Sequence, residues 1–306
     1  MNDYLHTKPF NDVVEKMKAG TAGDSVLRGL LTPEAGAEID AEAEDVIKWV
    51  VGAVYSGGAD TTVCALSTFV LAMVLYPGAQ ATAQAEIDRV VGTDRLPGIA
   101  DRPRLAYVEA VYKETLRWHP VAPLAVPHRV TKEDAYGGYT IPAGATVVAN
   151  IWAMSRSQAD SDVFKPERHL PGGNHAGQDP RTYVFGFGRR VCPGLNLADS
   201  EVWLGVVSLL AAFKIGKKSD GKGGFITPRE EYGQGIISYV FCPLPCPALP
   251  CLGLIAIRQS PQGIRVRYQA ASAEFCRTDS RGGRSSSLKL RGWGTSPAYL
   301  LVALLN

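Results

Sequence analysis

Cys192 stands in the stretch FGFGRRVCPG, residues 185–194, with Gly186 and Gly188 before it and Pro193 and Gly194 after it. The residues from Leu195 to Phe213 are apolar at helical spacing, which puts the cysteine just ahead of a helix N-terminus. That place suits a thiolate. The positive end of a helix dipole, backbone N–H groups and the adjacent Arg189 and Arg190 all favour S⁻ over SH. Glycine at 186, 188 and 194 lets the backbone come close to a flat ligand where any Cβ would clash. Taken by itself, a cysteine among glycines reads equally well as a buried thiol in a turn.

A second candidate is Gly57-Gly58-Ala59-Asp60-Thr61-Thr62, in the middle of the longest helical pattern in the chain, about Asp40 to Leu75. Adjacent glycines cost a helix interior about 1 kcal/mol each relative to alanine. The Thr61 hydroxyl can compete for the carbonyl at Gly57 and open the helix locally. An opened turn leaves a groove without side chains, with a hydroxyl and the Asp60 carboxylate in reach to deliver protons. The plainer alternative is a glycine kink that lets helices pack.

A third candidate is charged. Glu114 and Arg117, in KETLR, share one helical face. Such pairs usually lie on a solvated surface. Downstream, Lys165-Pro166-Glu167-Arg168-His169 adds another arginine.

Phe185, Gly188, Arg190, Cys192 and Gly194 match F-x-x-G-x-R-x-C-x-G residue for residue. This pattern resembles the haem-binding loop of the cytochrome P450 family, the haem-thiolate monooxygenases, in its fungal microsomal type. The resemblance implies haem b with Cys192 as axial thiolate ligand to iron. It implies Arg190 on a haem propionate and Phe185 shielding the sulfur, with His128 as a further propionate contact or simply a surface histidine. GGADTT is similar to the family's oxygen-activation motif, which implies Thr61 as the hydroxyl that hydrogen-bonds dioxygen and Asp60 as the relay acid. E-x-x-R followed by the PERH segment is similar to the family's buried ion-pair triad. Glu114, Arg117 and Arg168 would form it and pin the cysteine loop. His169 departs from the usual aromatic.

The implied activity is insertion of one oxygen atom of dioxygen into an apolar organic molecule. Electrons would come from NADPH through a separate cytochrome reductase docked on a basic surface near Arg189. A peroxide-driven peroxygenase and a truncated, non-catalytic fold with weak or no haem binding are the competing expectations. The resemblance covers about residues 1–240, the C-terminal half of a family member. It therefore predicts that the family's N-terminal membrane helix and the roof of its substrate pocket are absent, and leaves the substrate undetermined. Family members sit on the endoplasmic reticulum membrane; for this chain, expected to lack the anchor, the location is cytoplasmic or undetermined.

The elements that must position these residues are mostly helices. The expected fold class is mainly α with a small β region, the C-terminal part of the cytochrome P450 fold. Helices are predicted near Asn11–Ala19, Asp40–Leu75, residues 78–91, Arg102–Trp118 (with Asp101 as cap), Asn150–Ser157 and Leu195–Phe213. Strands are predicted at Val126–Val130, Ala135–Ile141 and Ala145–Ala149, with turns at Gly137-Gly138 and Pro142-Ala143-Gly144.

The 306 residues are 46% hydrophobic and 20% charged, a globular composition. A net charge of +2 offers no electrostatic footprint for nucleic acid. Six cysteines are too sparse for a disulfide scaffold. The first twenty residues lack the apolar core of a secretory signal, and the run from Val63 to Tyr76 is too short to span a bilayer. Past residue 240 the composition turns rich in Pro, then in Ser, Gly and Arg, and residues 241–306 are expected to be a non-homologous, weakly ordered tail. Cys242, Cys246 and Cys251 lack C-x-x-C spacing, which argues against zinc.

Overall fold

The computed structural model describes residues 2–33, 39–157, 159–172, 179–220, 222–233 and 235–238. The expected tail at 241–306 and its three cysteines lie outside the described residues. The chain divides into compact units of residues 1–62 and 63–306, with the boundary inside one long helix.

The first unit holds α1 (Asn2–Lys18), α2 (Val26–Leu31) and the start of α3 (Ala41–Leu75). The sequence predicted α1 only from residue 11; it begins earlier and carries Pro9 inside it, at the loss of one helical hydrogen bond. Ser25 caps α2 by accepting from the Arg28 N–H at 3.1 Å. The His6 ring lies against Trp49, with centroids 4.4 Å apart. Gly52 makes that seat possible, because a Cβ there would lie 1.9 Å from His6 Nδ1.

The second unit is built on helices. The C-terminal half of α3 packs with α4 (Pro77–Val90), α5 (Ala106–Trp118) and α8 (Leu195–Ala212) in one apolar core. Phe69, Leu71, Met73, Val108, Tyr112, Trp118, Trp203 and Leu210 are all fully buried in it. Each such side chain contributes about 1.5–3 kcal/mol by leaving water. Helices α3 and α8 are long and apolar enough to cross a membrane, by length and composition only.

Local chemistry explains the ends of these helices. Pro77 starts α4 and Gly92, at φ +87°, follows its end. The predicted helix from Arg102 is two elements instead: a 3-10 turn, Ile99–Arg104, and then α5. Asp101 does not cap α5. Its carboxylate accepts from Gly98 N and pairs with Arg95 and Arg104. Glu86 of α4 caps α5 instead, accepting from the N–H groups of Tyr107 and Val108 at 2.9 Å.

Three antiparallel two-stranded sheets are present among the described residues: β1 (His128–Arg129) with β4 (Thr146–Val147), β2 (Asp134–Tyr136) with β3 (Tyr139–Ile141), and β5 (Lys218–Ser219) with β6 (Phe225–Ile226). The β2–β3 turn is Gly137-Gly138, both at positive φ, as a tight hairpin requires. Short α6 (Ile151–Ser155) is capped by the Asn150 side chain, which accepts from Ala153 N. A 3-10 turn at Pro166–His169, then α7 (Arg181–Val184), leads to the cysteine loop and α8. The architecture is mainly α with a small β region, the class the sequence predicted.

Candidate functional site

Cys192 lies where the sequence put it, two residues before the N-cap of α8, Gly194. Its N–H donates to the Phe185 carbonyl at 2.8 Å, and its own carbonyl accepts from Leu195 N at 3.2 Å. The loop is thus closed on itself ahead of the helix. Gly186 sits at φ +83° and Gly188 at +58°, a region that side chains with a Cβ rarely adopt. Gly188 opens a 3-10 turn, Gly188–Arg190. Phe185 is half-buried against the core.

Cys192 is a free thiol, half-buried, and a Cβ on Gly194 would stand 3.9 Å from its Sγ. Arg189 and Arg190 are exposed and make no ion pair among the described residues. Exposed Phe187 and Val191 flank them. His128 is exposed in β1, across from Val147.

These features fit haem. Among the described residues no three His, Cys, Asp or Glu side chains gather into a metal site. A metal held by Cys192 alone must bring its other ligands with it, as porphyrin iron does. A half-buried sulfur, glycines that keep the backbone slim and unpaired arginines beside it suit a flat anionic macrocycle.

Glu114, Arg117 and Arg168 come together, and all three are buried, with side chains 0%, 4% and 1% exposed. Arg117 donates to both Glu114 oxygens, at 2.8 and 2.9 Å, and Arg168 Nε donates to Oε1 at 2.9 Å. Lys165 N adds a bond to Oε1 at 2.8 Å. His169 lies 2.9 Å from Oε2, a partner that sequence reasoning passed over as a departure from an aromatic. Burial would push the Glu114 carboxyl up; the bonds from His169 and Arg117 outweigh it and hold the group below the usual carboxylate range. The arginines' remaining hydrogen bonds end on the carbonyls of Ser155, Asp160 and Val163. None ends on residues 185–194.

A second ionic cluster went unseen in the sequence. Arg102 forms a bidentate pair with Asp199 of α8 and another with Glu109 of α5. Tyr112 Oη donates to Asp199 at 3.0 Å. Arg181 of α7 pairs with Asp179 at 2.6 Å and reaches Asp199 at 3.2 Å. Lys113 reaches Asp179 at 3.0 Å. Spacing gave no signal for it, because Arg102 lies in the 3-10 turn and its partners lie in α5 and α8.

In the first unit, Asp60 is exposed and Thr61 Oγ1 donates to the Gly57 carbonyl at 2.7 Å, the bond expected from sequence. The expected opening of the helix is not there: α3 is helical without interruption from Ala41 to Leu75. A carbonyl oxygen has two lone pairs, so it can accept the hydroxyl without giving up its backbone partner.

A sequence model of the cytochrome P450 family matches residues 33–237. The chain belongs to the cytochrome P450 family. Cytochrome P450 monooxygenase claR of Ampulloclitocybe clavipes is 47% identical over 236 residues, covering 76% of this chain and 43% of its own length. Cytochrome P450 monooxygenase claT of the same fungus is 50% identical over 219 residues, 69% of this chain and 44% of its own. The chain spans about half the length of the curated relatives it matches. Among solved structures, a zebra fish cytochrome P450 with abiraterone aligns with TM-score 0.62 at 27% identity, over 76% of this chain and 56% of that one.

Proposed function

We propose that this chain forms the haem-holding part of a monooxygenase, with Cys192 as the residue whose thiolate would hold the iron. The placement of that thiol carries the reading: it is free, half-buried and set in a glycine-shaped loop at the mouth of α8. Arg190 and His128, both exposed cations or potential cations, would hold the propionates. Phe185 would shield the sulfur. When bound, haem with a thiolate ligand supplies the dioxygen chemistry of this family.

The chain's own residues then have defined tasks. Arg189, Arg190 and the N-terminus of α8 lie within three residues of Cys192 and would balance the charge of an anionic group held there. Glu114, Arg117 and Arg168 hold α5 to the 155–169 segment. Asp60, open to water, would take up a proton, and Thr61 Oγ1 would hand one on after releasing the Gly57 carbonyl. In the balanced reaction one oxygen atom enters a C–H bond and the other leaves as water. NADPH supplies the electron pair through a reductase, and solvent supplies the protons. The substrate is a small apolar organic molecule, and the parent enzyme would work at the endoplasmic reticulum membrane.

Reconstitution of the full chain with haem tests this. The reduced, carbon-monoxide-bound difference spectrum should carry the thiolate band, and Cys192→Ala should lose it. A band retained in Cys192→Ala would remove the ligand assignment, and no band in the unmodified chain would remove the function.

A further inference from the structure

The cysteine loop has two flanks, α7 before it and α8 after it, and the second ionic cluster holds both. Arg181 lies on α7 and Asp199 on the second turn of α8, and they bond to each other at 3.2 Å across the loop's base. Both are tied to α5 and the turn before it. Asp199 receives Arg102 and Tyr112, and Arg181 reaches Glu109 at 3.4 Å. Asp179, just ahead of α7, is held by Lys113 of α5. The buried Glu114 triad sends no hydrogen bond to residues 185–194.

We propose that Asp199 is a positioning residue for Cys192, and that the Arg102–Asp199–Arg181 cluster sets the place of the sulfur while the triad secures the core. Asp199 is the joint of the cluster. Its two oxygens take bonds from the turn, from α5 and from α7, so it links both ends of the loop to α5. Burial would raise its carboxyl, yet the bonds from Arg102 and Tyr112 keep it ionised and below its ordinary range. Arg102 also lies over the rings of Tyr112 and Trp203, which fixes the guanidinium from the other side. A sulfur whose loop drifts at either end loses its fixed distance to any ligand it holds.

Only the spectroscopic part of this inference rests on the haem-thiolate reading; the mechanical part is read on the haem-free chain. Asp199→Asn keeps the shape and removes the charge. Amide hydrogen exchange in residues 185–194 of the haem-free variant should be at least about tenfold faster, with amides of α4 unchanged. Ser200→Ala, one residue along the same helix, should leave the loop at the wild-type rate. In the haem-loaded chain, Asp199→Asn should lower the share of the spectrum carried by the thiolate band at neutral pH, and Asp199→Glu should restore it in part. Should Asp199→Asn fail to fold, the wild type in rising salt is the second measurement. The cluster is partly open to water, so its loop should loosen with salt while the buried triad region should not. Loop exchange that follows neither the substitution nor salt overturns the proposal. A missing thiolate band in the wild type, with the exchange result intact, overturns the haem reading and leaves the clamp standing.

Discussion

Replacing Glu114 with Gln changes one oxygen to an amide nitrogen and almost no volume. The two carboxylate oxygens of Glu114 divide five donors between them. Oε1 takes Arg117 Nη2, Arg168 Nε and Lys165 N; Oε2 takes Arg117 Nε and His169 Nε2. An amide can keep one set. If its oxygen takes the Oε1 position, its NH₂ faces Arg117 Nε, donor against donor. In the opposite orientation it faces three donors. Either way two guanidiniums, nearly fully buried, lose their counter-charge.

Breaking a buried pair from one side costs about 3–5 kcal/mol, because the partner charge stays behind without compensation. A domain of ordinary stability has only about 5–15 kcal/mol in all. With a urea slope of about 2 kcal/mol per molar, the unfolding midpoint of Glu114→Gln should fall by about 1.5–2.5 M. Trp118 and Trp203, both fully buried, report the transition by fluorescence. The pH dependence adds a second reading. A carboxyl held below its unfolded value stabilises the fold above that value, about 4.3, and the gain is lost as pH falls through the folded value. Wild type should therefore lose part of its advantage over the variant in acid. A midpoint within about 0.3 M of wild type at neutral pH would refute the reasoning, since it would mean the arginines do not need the charge.

Thr61→Ala should leave the fold intact and stabilise α3 slightly, by no more than about 0.7 kcal/mol, since alanine is the better helix former. In the presence of haem, NADPH and reductase it should release more peroxide per dioxygen consumed; an unchanged ratio would remove Thr61 from proton delivery. His119 gives a pH dependence. Burial, with Arg156 and Arg117 nearby, pushes its imidazole down to about 3. The unfolded chain binds a proton near pH 6.5 that the folded chain refuses, so stability should fall as pH drops below that value, by up to about 1.4 kcal/mol per unit. Glu230, 2.8 Å from the His119 ring and raised by burial, works in the opposite sense. The difference between wild type and His119→Gln is therefore the quantity to follow by urea unfolding from pH 7 to pH 5. Parallel curves for the two proteins would refute the assignment.

What could be read from the sequence follows the range of the interactions. Helix positions came from periodicity and caps within a few residues, and α4, α8 and the Gly137-Gly138 hairpin lie close to their expected bounds. The cysteine loop was legible because its chemistry is local: glycine, arginine and cysteine sit within ten residues of one another. One error came from a distant side chain and another from a local one. Asp101 looked like the cap of α5, but Glu86, from the helix before, is better placed to satisfy the first N–H groups. GGADTT looked like a broken helix, yet a hydroxyl on the carbonyl's spare lone pair left the turn closed.

The triad could be anticipated only because a family resemblance joined Arg168 to a pair more than fifty positions upstream, and even so His169 was not seen as a member. Arg102 and Asp199, 97 positions apart, had no such guide. Neither residue type nor spacing distinguishes them from solvated surface charges. Their pairing exists only because the core seats α8 against α5, bringing the start of one helix over the side of the other. The apolar pattern therefore places the helices first, and the charges proposed to steady the cysteine loop become partners as a consequence. A substitution that shifts α8 within the core, such as one at fully buried Trp203, would disturb the loop without touching any of its residues.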